Sequence, residues 1–298
     1  MTHTEYTPLS DENISWRKDY RDYLVKTIDS GPMRELIIYP VWDTKSKTRA
    51  KKEKLSTEAQ EKYNQKKLQQ KTARLINTNF EENKDLWVDL TYADNITYEQ
   101  AEKEIKNYTQ RLKNYCMKNK LPELKYIYTT EYGEKSGRVH HHFITNFRDM
   151  QILNEMWSSK SERCKKRKNP YYTVRLLGRI RIRTLVGDDF GLLAAGNYIA
   201  KAGEKSKGYP RNKKKVHYSK NLKQPKERIS RTIKGRKLSL RKIKEFALDS
   251  EEFKKYVQRL YPDYHISNTS GKKGEFCGYY LYAVMRKYDK EETEKRLC

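Results

Sequence analysis

Between residues 86 and 202 the sequence changes its hydrophobic period in an order that few folds accommodate. Leu86-Trp-Val-Asp-Leu-Thr-Tyr92 alternates as a strand. Thr97, with Gln100 three residues on, has the form of a capping box. Ala101, Ile105, Tyr108, Leu112 and Tyr115 then fall on one helical stripe. Residues 124–132 and 138–147 are strand-like runs joined by Gly133-Glu-Lys-Ser-Gly137. A short helix is expected over 150–157. After a basic loop, residues 178–186 alternate again, and Asp188 or Asp189 opens a last helix over 190–202 with Gly203 at its end. The order β-α-β-β-α-β-α predicts the α+β class. It is that of a ferredoxin/RRM-like, split βαβ palm, an antiparallel sheet with helices on one face.

The flanks suggest three consecutive segments. Residues 1–80 read as an N-terminal basic extension (a strand near 36–42, then a helix from Ser56 to Ala73), 81–205 as the palm, and 206–298 as a basic C-terminal region. The last segment carries a late strand, 278–285, that can pack against 36–41. Charge bounds the partner. The 298 residues hold 65 Lys and Arg against 39 Asp and Glu, a formal net charge of +26. Residues 201–244 alone contribute 18 basic side chains, opposed by Glu204 and Glu227. Such a field draws polyanions, and the 24 interleaved tyrosines offer faces on which unpaired bases stack.

Several classes are excluded on the same grounds. The first 30 residues have no apolar run of the secretory kind, and no stretch nears the ~20 apolar residues that span a bilayer. A cytoplasmic protein with no membrane partner is expected. The four cysteines are scattered without C-x-x-C, against a zinc knuckle or a disulfide scaffold. Nothing matches G-x-x-x-x-G-K-[ST], so strand separation would need a motor from elsewhere.

Three of the six histidines are consecutive: His140, His141 and His142, on the second strand of the expected hairpin. Strand alternation sends His140 and His142 to one face and His141 to the other, toward packing. Glu131 lies nine positions before His140, across the turn, and completes a two-His, one-carboxylate set. Such a set leaves open coordination positions for a phosphate oxygen. Glu134, in the turn itself, competes for that role. On the last palm helix, Tyr198-Ile-Ala-Lys201 places a nucleophile and a cation on one face at i and i+3. Tyr-x-x-Lys recurs at Tyr23, Tyr63, Tyr115 and Tyr132, so position after the His strand, not the motif, selects Tyr198.

Leu90-Thr-Tyr92, then Glu131-Tyr-Gly-Glu-Lys-Ser-Gly-Arg-Val-His-His-His142, then Tyr198-Ile-Ala-Lys201 resemble the three ordered motifs of rolling-circle replication initiators. These are the HUH endonucleases of plasmids and single-stranded DNA phages, including relatives of the filamentous-phage gene II protein. Residues 74–80 and 218–222 are similar to flanking segments of such proteins. The middle motif position, usually hydrophobic, is His141 here, and alternation assigns ligation to His140 and His142. The resemblance implies a Mn²⁺ or Mg²⁺ ion on Glu131, His140 and His142. It also implies attack of Tyr198 on the origin strand with Lys201 holding the phosphate, a 5′-phosphotyrosine link, a free 3′-OH, and later rejoining.

The implied partners are single-stranded origin DNA and the helicase and DNA polymerase of a bacterial host. With one visible nucleophile, termination calls for another round or a second subunit, so a homo-oligomer is admitted. Arg138 beside the histidines, and Lys205, Lys207, Arg211, Lys213, Lys214 and Lys215 in the basic segment, are the expected DNA contacts. Two alternatives stand beside this reading. One is a single-Tyr transposase or relaxase of the same chemistry. The other is a non-catalytic RRM-like binder stacking bases on Tyr126, Tyr128 and Tyr132.

Overall fold

Two antiparallel sheets organise the chain in a computed structural model that describes residues 22–41, 58–133, 136–201, 214–274 and 278–288. In chain order the elements are β1 (Tyr23–Ser30), β2 (Met33–Pro40), α1 (Glu58–Asn79), β3 (Leu86–Thr91), α2 (Tyr98–Lys118), β4 (Tyr126–Tyr132), β5 (Val139–Thr145) and α3 (Met150–Met156). There follow α4 (Lys160–Lys168), β6 (Ile180–Thr184), α5 (Leu193–Lys201), β7 (Val216–Tyr218), β8 (Lys226–Ser230), α6 (Leu240–Leu248), α7 (Ser250–Leu260), β9 (Tyr264–Lys273) and β10 (Tyr279–Lys287). None of the described helices is long and apolar enough to cross a membrane.

The palm sheet runs β6-β3-β5-β4-β7. β3 pairs antiparallel with β5, and β5 with β4, so β3 and β4 run the same way with β5 between them. That is the split βαβ order expected from the sequence. The capping box of α2 forms as read: the Gln100 amide donates to Thr97 Oγ1, and the Thr97 amide donates to Gln100 Oε1. Its stripe of Ala101, Ile105, Tyr108 and Leu112 packs with α3 on Leu86, Val88, Leu90 and Phe143.

The opposite face is covered too, which corrects the expectation of helices on one face only. Leu75 and Ile76 of α1 and Ile199 of α5 bury Trp87, Ile127 and Ile144. α1 therefore belongs to the palm rather than to an N-terminal extension. Its register on α5 is fixed at both ends. Asn77 Oδ1 accepts the Leu192 amide at 2.7 Å, and Gln65 Nε2 donates to the Ala200 carbonyl at 2.6 Å. Both are groups that a helix terminus leaves without intrahelical partners.

Other differences are local. The basic loop after α3 holds α4, started by Ser159, which accepts the Glu162 amide, and ended by four basic residues that suit the negative helix terminus. The last palm helix begins at Leu193 rather than at 190, because Asp188 turns back to accept the Phe190 amide and Gly191 adopts φ 63°. β7 adds a fifth strand beside β4. Ser56 and Gly203 lie outside the described residues.

The second sheet runs β8-β1-β2-β10-β9, with α6 and α7 packed on it. The late strand does pair with β2, Leu281 opposite Ile38 and Ala283 opposite Leu36. The chain is thus not divided into three consecutive segments. Strands from before α1 and everything from β8 onward form one unit, and α1 through β7 form the other. The reason is burial: Leu36, Ile38, Leu281 and Ala283 line one face that Phe246, Phe253 and Val257 close. The basic stretch up to residue 244 is accordingly built into β7, β8 and α6 where it is described, not into a free tail.

Gly196 lets α5 lie directly on α1, since a Cβ there would stand 2.5 Å from Ala73 Cα. Gly196→Ala is therefore expected to destabilise the palm by about 1–3 kcal/mol despite its better helix propensity. A thermal melt should fall by several degrees. An unchanged or raised melting temperature would show that the helices are not in contact there.

Candidate functional site

The pleat of β5 governs the site. His140 and His142 face the α1/α5 side of the sheet, while His141 faces the α2 side. On the neighbouring strand Glu131 stands directly opposite His140. Its Oε1 lies 2.9 Å from His140 Nε2 and 2.7 Å from His142 Nε2. His142 is buried; His140 and Glu131 are half-buried. The ligating atoms of the three all lie within 4.8 Å of one another.

A fourth residue orients the set. Asp89 on β3, opposite His142, places Oδ1 2.7 Å from His142 Nδ1. Trp87 Nε1 donates to the same Asp89 oxygen at 2.5 Å, and Arg183 Nη2 approaches Oδ2 at 3.4 Å. Asp89 thereby fixes the His142 ring, with Nδ1–H toward Asp89 and Nε2 toward Glu131. This is the outer-shell arrangement that metal-binding imidazoles use.

Charge follows geometry. Burial works against an ionised Glu131, but hydrogen bonds from His140 and His142 outweigh it and hold the carboxyl down to about 2. Burial likewise opposes charge on Asp89, and the His142 and Trp87 hydrogen bonds overcome it. Burial alone would lower His142, yet hydrogen bonds to Asp89 and Glu131 leave it raised. Two imidazole nitrogens converge on one carboxylate oxygen, so a positive charge is called for between them, either a proton or a cation. Cis ligands around a small divalent ion at about 2.1 Å are about 3 Å apart, which matches the 2.7 and 2.9 Å separations here. The donor set fits such an ion.

Tyr198 is 52% exposed, and its ring lies edge-on to His142 at 4.8 Å and to Trp87 at 5.5 Å between centroids. The structure thus brings together four sequence-predicted residues: Glu131, His140, His142 and Tyr198. Lys201 is the exposed last residue of α5. Arg138 is exposed two residues before His140. Lys215 donates to Gln65 Oε1 at 3.3 Å, and the Lys214 ammonium sits 5.0 Å above the Tyr218 ring. Glu134, Lys205, Lys207, Arg211 and Lys213 lie outside the described residues.

Asp89 is the functional residue that sequence reasoning missed. Its signal was present: a carboxylate inside Leu86-Trp-Val-Asp-Leu, where both faces are otherwise apolar. The stacking platform of the RRM-like alternative is not formed. Tyr128 is buried, with its ring stacked on His217 at 4.7 Å. Tyr126 and Tyr132 pack against the same α2-side core.

Residues 85–206 match a family model of replication-associated proteins, the one that groups ORF2 proteins with the phage gene II protein. The match spans the palm from β3 through α5 and supports the rolling-circle replication initiator that the ordered motifs resemble. No curated protein and no solved structure gives a significant match to the chain.

His141 is fully buried, with Nε2 2.7 Å from the Tyr92 hydroxyl and Nδ1 2.9 Å from Thr130 Oγ1. It is more than a packing residue. His141→Leu would strand two hydroxyls and is expected to cost about 2–4 kcal/mol at neutral pH. Burial, reinforced by the neighbouring histidines, pushes the imidazole down to about 3. It stays neutral in the folded chain while the unfolded chain protonates below about 6.5. This contribution to stability is therefore complete above that value and is lost progressively as pH falls. The gap between the two proteins should narrow by about 1–2 kcal/mol from pH 7 to pH 5. Denaturant titrations at both values measure it, and a constant gap would refute a neutral buried imidazole.

Proposed function

We propose that this chain initiates rolling-circle replication by nicking one strand of origin DNA, with Tyr198 as nucleophile. The observation that carries the reading is the half-exposed Tyr198 ring packed on His142, the most buried member of the Glu131–His140–His142 set. Glu131, His140 and His142 would hold Mn²⁺ or Mg²⁺. When bound, that ion supplies Lewis-acid polarisation of the scissile phosphate and neutralises charge that builds on its oxygens.

The chain's own residues do the rest. Asp89 keeps the His142 Nε2 lone pair aimed at the ion by holding the proton on Nδ1. Tyr198 Oη bonds to phosphorus as its proton leaves to solvent. The bond from phosphorus to the 3′ oxygen breaks, and that oxygen takes up a proton to become a free 3′-OH. One phosphodiester is exchanged for another, so the link can later be reversed to rejoin the strand. Lys201, one turn along α5, neutralises a phosphate oxygen. The 3′-OH would prime a host polymerase behind a host helicase. The related reading as a transposase or relaxase shares every one of these steps and differs in the DNA supplied.

Tyr198→Phe is expected to abolish the covalent protein–DNA adduct while single-strand affinity stays within about threefold, since stacking is kept. The adduct is read on a denaturing gel with a labelled oligonucleotide from the parent replicon. An adduct persisting in Tyr198→Phe and lost in Tyr63→Phe or Tyr115→Phe would move the nucleophile elsewhere.

Asp89→Asn should lower Mn²⁺ affinity about 10–100-fold by calorimetry, because the amide no longer fixes the His142 tautomer. His140→Ala and His142→Ala should remove measurable binding. Unaltered Mn²⁺ affinity in all three would rule out this cluster as the metal site.

A further inference from the structure

The edge strand β6 carries a feature the nicking chemistry does not use. Ile180 and Ile182 pack against the α2-side core, so alternation sends the arginines between and beside them to the opposite face. Register agrees: Arg181 stands directly opposite Asp89, and Arg183 opposite Trp87. Arg179, whose carbonyl accepts the Thr91 amide, continues the row. One strand further in, Asp89 stands opposite His142 and Thr91 opposite His140. The three arginines therefore share a face with Glu131, His140 and His142, two strands from the histidines. All three are exposed.

Their chemistry points one way. Arg183 shares Asp89 at 3.4 Å and lies 5.3 Å over the Trp87 ring. Arg179 and Arg181 have no carboxylate partner among the described residues. Alternate residues of a strand are about 6.7 Å apart, roughly twice the rise per nucleotide of a stacked strand. Guanidiniums at that step suit successive phosphates of a strand drawn out of its stack, and their planar forks grip phosphate in bidentate fashion. β6 is also the sheet edge, so no strand lies beyond it to block the approach.

We propose that Arg179, Arg181 and Arg183 form a phosphate ladder that leads an unpaired DNA strand across the sheet face toward Glu131, His140 and His142. This rests on the reading of that cluster as a nicking site. The ordinary role of exposed charge on an edge strand is to discourage edge-to-edge pairing, and that role needs no DNA.

The test is the salt dependence of binding to a fluorescein-labelled thymidine oligonucleotide of about 20 nucleotides, several site sizes long. It compares the unaltered chain with Arg179→Gln/Arg181→Gln. Arg183 is left in place because it touches Asp89. Loss of two phosphate contacts should make the slope of log K against log salt shallower by about 1.4, and a duplex of equal length should show a smaller change. Arg181→Lys keeps the charge and should keep the slope while weakening binding, because only the bidentate fork is lost. Unaltered circular dichroism and Mn²⁺ affinity would show that the double variant is folded. An unchanged slope in that folded variant, or a change confined to the duplex, overturns the ladder. Thymidine binding requires no cleavage, so this result is independent of the adduct assay: a chain that binds through β6 but forms no adduct would sink the nicking reading instead.

Discussion

Two carboxylates and two imidazoles sit on one face of the palm sheet, and the arrangement of the rest of the palm follows from having to keep them there. Asp89, His142 and Glu131 form a line across three adjacent strands, each link between 2.7 and 2.9 Å when His140 is included. Taking such charges out of water costs several kcal/mol apiece unless partners replace the lost hydration. Here every carboxylate faces an imidazole, and Asp89 also takes the Trp87 indole and the edge of Arg183. Remove one partner and the others are stranded, so the strands that carry them cannot slip in register. A one-residue slip would exchange His140 and His142 for His141 and turn the whole set into the α2-side core.

The nucleophile depends on a different support. α5 is short, nine residues, and has little stability of its own. It is held by α1 through Asn77 at one end, Gln65 at the other and the close contact at Gly196 between them. α1 therefore acts as a rail that sets where Tyr198 meets His142. The same pair of helices buries Trp87, Ile127 and Ile144, and Trp87 in turn touches Tyr198, His142 and Asp89. Packing and chemistry meet in that one indole.

Much of this is legible in the sequence because strand alternation is a rigid rule. It separates His141 from its neighbours, and the turn length puts Glu131 opposite His140. The helix of the capping box, the order of the palm and the pairing of the late strand with residues 36–41 are legible for the same reason. What escapes depends on contacts between distant segments. Asp89 looks like the polar beat of an alternating strand, and only the pairing of β3 with β5 shows what it faces. α1 looks like a solvated basic helix because its apolar residues cluster in its last turns, at Ala73, Leu75 and Ile76. The basic stretch after α5 looks like a tail because its buried residues, such as Val216, Leu222 and Ile233, are sparse among lysines. His141 reads as packing, and its two hydrogen bonds cannot be inferred until Tyr92 and Thr130 are known to flank it.

The electrostatics of the site also explain why a chain this basic is needed. Asp89 and Glu131 are both held ionised, so the bare face would repel the phosphodiester it is proposed to cut. At about 4 Å, like charges at a protein surface oppose each other by several kcal/mol at an effective dielectric near 20. Positive charge must therefore be supplied close by rather than only by the net field, which salt screens within about 10 Å. A cation among Glu131, His140 and His142 would reverse the sign at the centre. Arg183 already partly neutralises Asp89, and Arg179 and Arg181 extend the positive row along the strand edge. Lys201 adds a charge one helical turn from Tyr198. The carboxylates that build the site thus dictate the cations around it, and a strand can approach only along the side where those cations lie.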